Sequence, residues 1–212
     1  MNAHAQVPVF AKFIEELRQI WAAKADIRSR MEAAKPVLEQ LVKDDGLKAI
    51  SATWPSTEGG KNLLLYVDPD HGFAINAVVR VPGRKGRPHD HGEAWVLYGV
   101  LDGTESLERY DRLDDGSKPG HAEIKLTSVT TGSQGKVDLV PPHDIHAEQG
   151  GDARSVAIII RSQKLGGSNI QHGYNVAEKT VEERYGPRQI PYEVSIRSKA
   201  KSLGSGRIPV SS

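Results

Sequence analysis

The sequence of 212 residues contains no cysteine, so disulfide bonds and thiolate ligands are excluded from its chemistry. It also lacks an apolar run of about eighteen residues, the length that a membrane-spanning helix needs. The formal net charge is only +1, which provides no extended positive field for nucleic acid. The first residues lack the charged and apolar regions of a signal peptide. We therefore expect a soluble, cytoplasmic protein with no nucleic-acid or membrane partner, in which any metal is held by nitrogen and oxygen.

The periodicity of the apolar residues changes once, near residue 45. Before this point, apolar side chains recur every three or four residues, which predicts a helical amino-terminal segment over 1–45. After it, β-branched runs divided by turn residues predict strands in a closed or double-sheet all-β architecture. The predicted strands are 62–67, 73–81, 94–101, 105–110, 124–129, 135–140 and 153–161. We expect the barrel to cover 46–192 and a polar, basic tail to cover 193–212.

Three histidines lie in two short stretches that contain few competing ligands. His89 and His91 flank Asp90, and in an extended strand the alternation of side chains points both imidazoles to one face. A third imidazole, from His146, would arrive on a neighbouring strand and leave part of the coordination sphere open. We therefore predict a catalytic metal site on these three histidines.

The two stretches resemble the paired signature motifs of the cupin superfamily. The matching positions are Gly83, His89, His91 and Gly103 in the first motif, and Gly135, Pro141 and His146 in the second. The glutamate of the first motif is absent, because Trp95 and Val96 occupy its two permitted positions. The resemblance implies an all-β fold, the cupin double-stranded β-helix or jelly-roll barrel, with N-terminal helices.

Within the cupins, the chain is similar to the thiol dioxygenases, which include cysteine dioxygenase and 3-mercaptopropionate dioxygenase. Those proteins also place helices before the barrel, use His-Asp-His and lack the glutamate ligand. The resemblance implies non-haem Fe(II) on three neutral imidazoles, with Ni, Mn or Zn as other candidates, and a small-molecule substrate together with O2. Because a neutral ligand set leaves the ion its full charge, an anionic group such as a thiolate could bind it directly.

The chain differs from these dioxygenases at the positions that align with their late-strand Ser-X-His-X-Tyr series and their substrate-binding arginine. Their Ser-X-His-X-Tyr series aligns with Ala157, Ile159 and Arg161, and their substrate-binding arginine aligns near Leu64, so cysteine is not expected as the substrate. Alternation places Arg161 on the inward face of its strand, although a strand-end arginine can instead curl out to solvent. If it points inward, a substrate carboxylate is its candidate partner. Arg161 is thus the candidate catalytic residue.

Other side chains leave alternatives open. Glu93 shares the ligand face unless Gly92 breaks the alternation, and either Glu93 or Glu148 could complete the ligand set of an isomerase or decarboxylase. His143 lies in a proline-rich turn and is expected to be a turn or entrance residue rather than a ligand. A non-catalytic, ligand-binding cupin is the remaining alternative. The other histidines are expected in a turn, for His71, or on the surface, for His4, His121 and His172.

Overall fold

The computed structural model describes residues 7–164 and 169–195, which form helices followed by strands. The helices are α1 (Pro8–Ala23), α2 (Ile27–Leu41) and α3 (Asp45–Ser51). The strands are β1 (Lys61–Val67), β2 (Ala74–Arg80), β3 (Val96–Asp102), β4 (Thr104–Arg112), β5 (Ile124–Ser133), β6 (Val137–Val140), β7 (Ile145–Gly150), β8 (Ser155–Arg161), β9 (Gln171–Asn175), β10 (Thr180–Arg184) and β11 (Arg188–Pro191). His4 and residues 196–212 of the predicted tail lie outside the described residues. Val194, within the predicted tail, is fully buried.

Short-range signals explain where the helices begin. Pro8 occupies the first turn of α1, where its missing N–H costs no hydrogen bond. The side chain of Asp26 caps α2 by accepting from Ser29 N at 2.9 Å. Asp44 caps α3 by accepting from Leu47 N at 2.6 Å. This third helix corrects the expectation that strands begin at residue 46, because the sequence Asp44–Gly46 starts a new helix rather than ending helical structure.

One face of the larger sheet packs against the helices. The sheet has six strands in the order β11-β1-β2-β8-β3-β6. Alternate residues of its central strands join the helices in one hydrophobic core: Ile75, Ala77 and Val79 of β2, and Val156, Ile158 and Ile160 of β8. The helical contribution comes from the apolar stripes of α1 and α2, including Phe10, Leu17, Trp21 and Leu38. The helices therefore cover the outer face of the barrel and leave its interior free.

The opposite face of the same strands lines the barrel interior. A second cluster there contains Val78, Val96, Tyr98, Val100, Val140, Ala157 and Ile159, with Leu107 of β4 packed against it. Leu107 belongs to the second sheet, whose order is β5-β4-β7. Two sheets enclosing one interior, with helices outside, confirm the predicted all-β double-stranded β-helix with N-terminal helices.

Several strand boundaries differ from the prediction. β3 begins at Val96 and β8 at Ser155, each two residues later than expected, and β5 continues to Ser133. β9, β10 and β11 were not predicted, because β9 and β10 are mostly polar and carry no run of apolar residues. Among the described residues, no helix is long and apolar enough to cross a membrane.

Candidate metal centre

The fold brings His89, His91 and His146 together. One ring nitrogen from each residue lies within 4.8 Å of the others, and these three residues could hold a metal ion. The backbone positions them, since His89 N donates to His146 O at 2.9 Å and His146 N donates to His89 O at 3.0 Å. His89 forms isolated bridges to β7 and β9 rather than lying in the regular strand that the sequence predicted.

Two of the imidazoles are oriented by backbone carbonyls. Nδ1 of His89 lies 3.0 Å from Arg87 O, and Nδ1 of His146 lies 3.0 Å from Asp144 O. If each Nδ1–H donates to its carbonyl, the neutral ring keeps a lone pair on Nε2, as metal-binding histidines require. Nε2 of His146 is buried and has no hydrogen-bond partner among the described residues. A bound metal ion would satisfy this atom.

Burial also keeps the histidines in the form that binds metals. Desolvation, reinforced by the neighbouring His146, lowers the pKa of His89 to about 4. Desolvation and the charge of Arg161 lower the pKa of His91 well below its ordinary value of 6.5. Both imidazoles are therefore neutral at pH 7, and neutral imidazole is the ligand form. The residues present fit a divalent metal ion.

Glu148 lies beside the three histidines. It follows His146 by two residues on β7, so it shares the inward face. Its Oε1 is 3.5 Å from Nε2 of His146, without a hydrogen bond, and its Oε2 is 3.4 Å from Nη2 of Arg80. Glu148 is thus the carboxylate, of the two left open by the sequence, that the fold brings to the site.

Glu93 and His143 face away from this site. Gly92 has a φ of +56°, which breaks the alternation that would have aligned Glu93 with His91. The Glu93 side chain is 77% exposed, and its Oε1 lies 3.0 Å from Nε2 of His143, which is 58% exposed. The possibility that Glu93 completes the ligand set is therefore wrong for this structure, and His143 lies in the turn before β7.

His89 and His91 open onto a cavity of about 550 Å³. Its cationic lining residues are Lys61, Arg80, Arg84, Lys85, Arg87, Arg161 and Arg184. Among the described residues, Glu148 is the one carboxylate in the lining. A chain with a net charge of only +1 thus concentrates positive charge around the candidate metal centre. Such a cavity attracts anions.

Arg161 points into the cavity. It is 3% exposed on the inward face of β8, so the alternative of a solvent-exposed guanidinium is wrong. Its Nη1 lies 3.2 Å from Nδ1 of His91, whereas its Nε has no hydrogen-bond partner in the described part of the chain. Burial lowers the pKa of Arg161 to about 10, although the charge of Glu148 opposes this shift. The side chain remains a buried cation at neutral pH.

A buried ionic network next to the cavity was not foreseen from the sequence. Nη1 of Arg80 donates to Oε2 of Glu105 at 3.0 Å and also contacts the Tyr98 hydroxyl. Tyr98 and Ser155 donate to the two oxygens of Glu105, each at 2.6 Å. Burial raises the pKa of Tyr98 well above 10, so the hydroxyl stays neutral. Strand alternation alone could have indicated Arg80 and Tyr98, since both lie on inward faces.

Asp90 anchors the segment between the two leading histidines. Its carboxylate accepts hydrogen bonds from Gly92 N and His172 N, both at 2.9 Å, and from the Tyr174 hydroxyl at 2.9 Å. Its Oδ2 also lies 3.0 Å from Nδ1 of His172. His172, which the sequence predicts to be a surface residue, is 35% exposed and contacts Asp90. No apolar pattern in the sequence could have placed β9 beside Asp90.

No protein-family model matches the sequence. Among solved structures, the chain is similar to an oxalate oxidase in complex with the substrate analogue glycolate, with 18% identity, coverage of 55% of this chain and 58% of the other, and a TM-score of 0.42. An uncharacterized protein with a double-stranded β-helix domain from Klebsiella pneumoniae is 13% identical over 57% of this chain and 85% of its own, with a TM-score of 0.40. The Schizosaccharomyces pombe Cnp3 cupin domain is 10% identical over 49% and 60%, with a TM-score of 0.38.

The chain spans less than half of another oxalate oxidase in complex with glycolate, matching 44% of that chain at 21% identity and a TM-score of 0.36. The fold assigned to this chain rests on its own strand pairing, in which a six-stranded and a three-stranded sheet enclose one interior and β9 pairs separately with β10.

Proposed function

We propose that this protein is a metal-dependent oxidoreductase, a thiol dioxygenase-like, mononuclear non-haem Fe(II) enzyme that acts on a small thiol or carboxylate-bearing molecule and O2. The observation that carries the proposal is that two of the three clustered histidines, His89 and His91, line one basic cavity together with the buried guanidinium of Arg161. Iron(II) held by His89, His91 and His146 would supply the redox chemistry that reaction with O2 requires.

The balance of buried charge supports an anionic substrate. Arg80 is paired with Glu105 and Glu148, whereas Arg161 forms no ion pair with a described carboxylate. An isolated buried charge costs several kcal/mol, on the order of the penalty for breaking a buried ion pair. A substrate carboxylate or thiolate would offset this cost, and a carboxylate could accept two parallel hydrogen bonds from the guanidinium. We therefore assign Arg161 as the residue that anchors the substrate.

The rest of the inner lining suits a short hydrocarbon portion. Val78, Val96 and Ile159 line the cavity near Arg161 and offer no hydrogen-bonding side chains. Tyr98 is also in the lining, but its hydroxyl already donates to Glu105. These residues would exclude water around the body of the substrate and leave orientation to its anionic group.

A second candidate function is supported by the position of Glu148. With Oε1 only 3.5 Å from Nε2 of His146, this carboxylate could complete a set of three histidines and one glutamate. Such a set of nitrogen and oxygen ligands would suit Mn, Ni or Zn in an isomerase or decarboxylase.

Reconstitution with iron distinguishes the two candidates. The anaerobically Fe(II)-loaded protein should bind about one iron per chain and consume O2 when 3-mercaptopropionate or mercaptosuccinate is added. A matched zinc-loaded sample should bind the same compounds without consuming O2. If the iron-loaded protein consumes no O2 with either compound, the dioxygenase proposal is overturned and the second candidate is favoured.

A further inference from the structure

The loop before the candidate metal ligands, residues 83–87, is held firmly to β7 and the turn that follows it. Gly83 N donates to Gly151 O at 2.7 Å, and Gly150 N donates to Arg84 O at 2.8 Å. The side chain of Gln149 clamps the other end, because its Oε1 accepts from Gly86 N at 2.9 Å and its Nε2 donates to Gly86 O at 3.1 Å. The loop is therefore fixed to the strand that carries His146.

Close packing at Gly86 reinforces this attachment. A Cβ atom at this position would lie 2.5 Å from the carbonyl oxygen of Glu148, so the loop backbone approaches β7 more closely than any other residue type allows. The backbone at Arg84 and Lys85 is consequently held at a defined distance from the metal centre. Preorganised groups of this kind bind ligands with little loss of conformational freedom.

Three cations at the cavity have no carboxylate partner within the part of the chain that the structure describes. Arg84 and Lys85 come from the loop, and Lys61 comes from the start of β1; all three line the cavity and form no ion pair with a described residue. Nη1 of Arg84 is shielded from solvent and has no hydrogen-bond partner among residues 7–164 and 169–195. A shielded, unpaired donor is unfavourable until an acceptor occupies the space beside it.

Two further cations of the cavity lining, Arg87 and Arg184, each lie close to a carboxylate. Arg87 lies 3.5 Å from Glu182, and Arg184 lies 2.6 Å from the same carboxylate. Their charges are therefore partly balanced within the protein. Apart from Arg161, the described cations of the cavity lining that form no ion pair are therefore Arg84, Lys85 and Lys61.

We propose that Arg84, Lys85 and Lys61 form a second anion-binding subsite, which binds the distal anionic group of the substrate while its other end lies at Arg161 and the histidines. The substrate class is then a small molecule with an anionic group at each end, the distal one being a carboxylate or a phosphate. This inference rests on the proposed function, since it takes the inner end of the cavity as the reactive end.

Binding to zinc-loaded protein tests the subsite without turnover. Calorimetric titration would compare dicarboxylates from malonate to adipate with monocarboxylates of matching length, and 3-phosphonopropionate with propionate. At least one doubly charged ligand should bind about tenfold more tightly than its singly charged match, corresponding to about 1.4 kcal/mol. A preference for the diacid indicates a distal carboxylate, and a preference for the phosphonate indicates a distal phosphate.

Paired variants locate the subsite. In Arg84→Gln the advantage of the doubly charged ligand should fall at least about fivefold, whereas Arg87→Gln, which alters a cation already paired with Glu182, should retain it. Equal affinity for all matched pairs in the unaltered protein, or a full advantage in Arg84→Gln, would overturn the subsite. The proposed function would survive that result if monocarboxylates still bind in an Arg161-dependent way and the iron-loaded protein still consumes O2.

Discussion

Nη1 of Arg161 lies 3.2 Å from Nδ1 of His91, so a buried cation donates a hydrogen bond to a candidate metal ligand. A guanidinium can only donate, so Nδ1 accepts, and in the neutral ring the proton then lies on Nε2. Coordination of a neutral His91 ring through Nε2 would move that proton to Nδ1, which could then no longer accept this hydrogen bond. Metal binding through Nε2 would therefore release the guanidinium for an anionic ligand.

Arg161→Lys should weaken binding of small carboxylates to the metal-loaded protein by about tenfold, corresponding to about 1.4 kcal/mol. Lysine keeps the positive charge but loses the planar pair of donors that a carboxylate accepts. Metal content should stay the same. Calorimetric titration with propionate measures the effect.

Arg109→Lys provides the matched control. Arg109 is partly buried, pairs with Asp138 and Asp144, and is not among the lining residues of the cavity. Its replacement should leave propionate affinity unchanged. An unchanged affinity in Arg161→Lys as well would contradict the role assigned to Arg161.

Removing any one of His89, His91 or His146 by substitution with alanine should abolish stoichiometric metal binding. The fold should persist, because the helix-facing core is formed by apolar side chains and does not depend on an ion. Metal analysis after reconstitution and dialysis, combined with circular dichroism, separates loss of metal from loss of structure.

The control for these variants is His143→Ala, since the His143 side chain is 58% exposed and pairs with Glu93 outside the cluster. Metal content should be unaffected. Full metal occupancy in His146→Ala would rule out the three-histidine site.

Asp90→Asn should weaken metal binding by about tenfold, the lower end of the range for residues that support metal ligands. The carboxylate holds the segment between His89 and His91 through Gly92, His172 and Tyr174, and an amide cannot accept all of these hydrogen bonds. Competition with a metal-binding dye measures the change in affinity.

Asp144→Asn alters the corresponding acid near His146 and serves as the comparison. Its carboxylate faces Arg109, and only its backbone carbonyl contacts the His146 ring. Metal affinity should therefore change by less than about twofold, as expected for a half-exposed ion pair. Equal losses in both variants would indicate a general effect of charge instead of support by Asp90.

Local patterns in the sequence were sufficient to predict an all-β architecture, and the resemblance of its two motifs to those of the cupins implied the barrel and the cluster of histidines. Alternation along β8 also placed Arg161 on the inward face. The support for the site could not be predicted, since Asp90 is held by His172 and Tyr174, more than eighty residues away on a polar strand. The approach of Glu148 to Arg80 likewise depends on how two sheets face each other, which strand periodicity does not specify.

Gly92→Ala should lower the free energy of unfolding by at least about 3 kcal/mol and impair metal binding. Gly92 has a φ of +56°, and an added Cβ would lie 2.2 Å from the carbonyl oxygen of Ile170. Relief of this clash must move the backbone next to His91. Urea denaturation and metal analysis report the two effects.

Gly83→Ala separates steric overlap from backbone strain. Gly83 also has a positive φ, of +71°, but an added Cβ would meet no atom within 4 Å. Its replacement should cost only about 1 kcal/mol and leave metal binding intact. If both variants behave alike, the contact with Ile170 is not what fixes the backbone at Gly92.

Asp68→Asn should destabilise the protein at neutral pH by about 2 kcal/mol, the typical loss for hydrogen bonds to a charged group. Asp68 is 1% exposed and joins the β1–β2 turn to α1. It accepts from His71 N at 2.7 Å, Asp70 N at 3.0 Å and the Tyr66 hydroxyl at 2.9 Å, and it pairs with Arg18. Burial opposes ionisation, but these contacts outweigh it and lower the pKa of Asp68 below its ordinary value of 3.8.

The sign of the pH dependence follows from this lowered pKa. The folded state favours the ionised carboxylate, so its stabilising contribution is fully present above about pH 4 and is lost as the pH falls through the folded-state pKa. The difference in unfolding free energy between the wild type and Asp68→Asn should therefore shrink as the pH is lowered below about 4.

Asp70→Asn, at a carboxylate whose side chain is 63% exposed, should change stability by less than about 1 kcal/mol. Urea denaturation of the three proteins at neutral and acidic pH measures these differences, and a gap between wild type and Asp68→Asn that stays constant with pH would contradict the role of the ionised carboxylate.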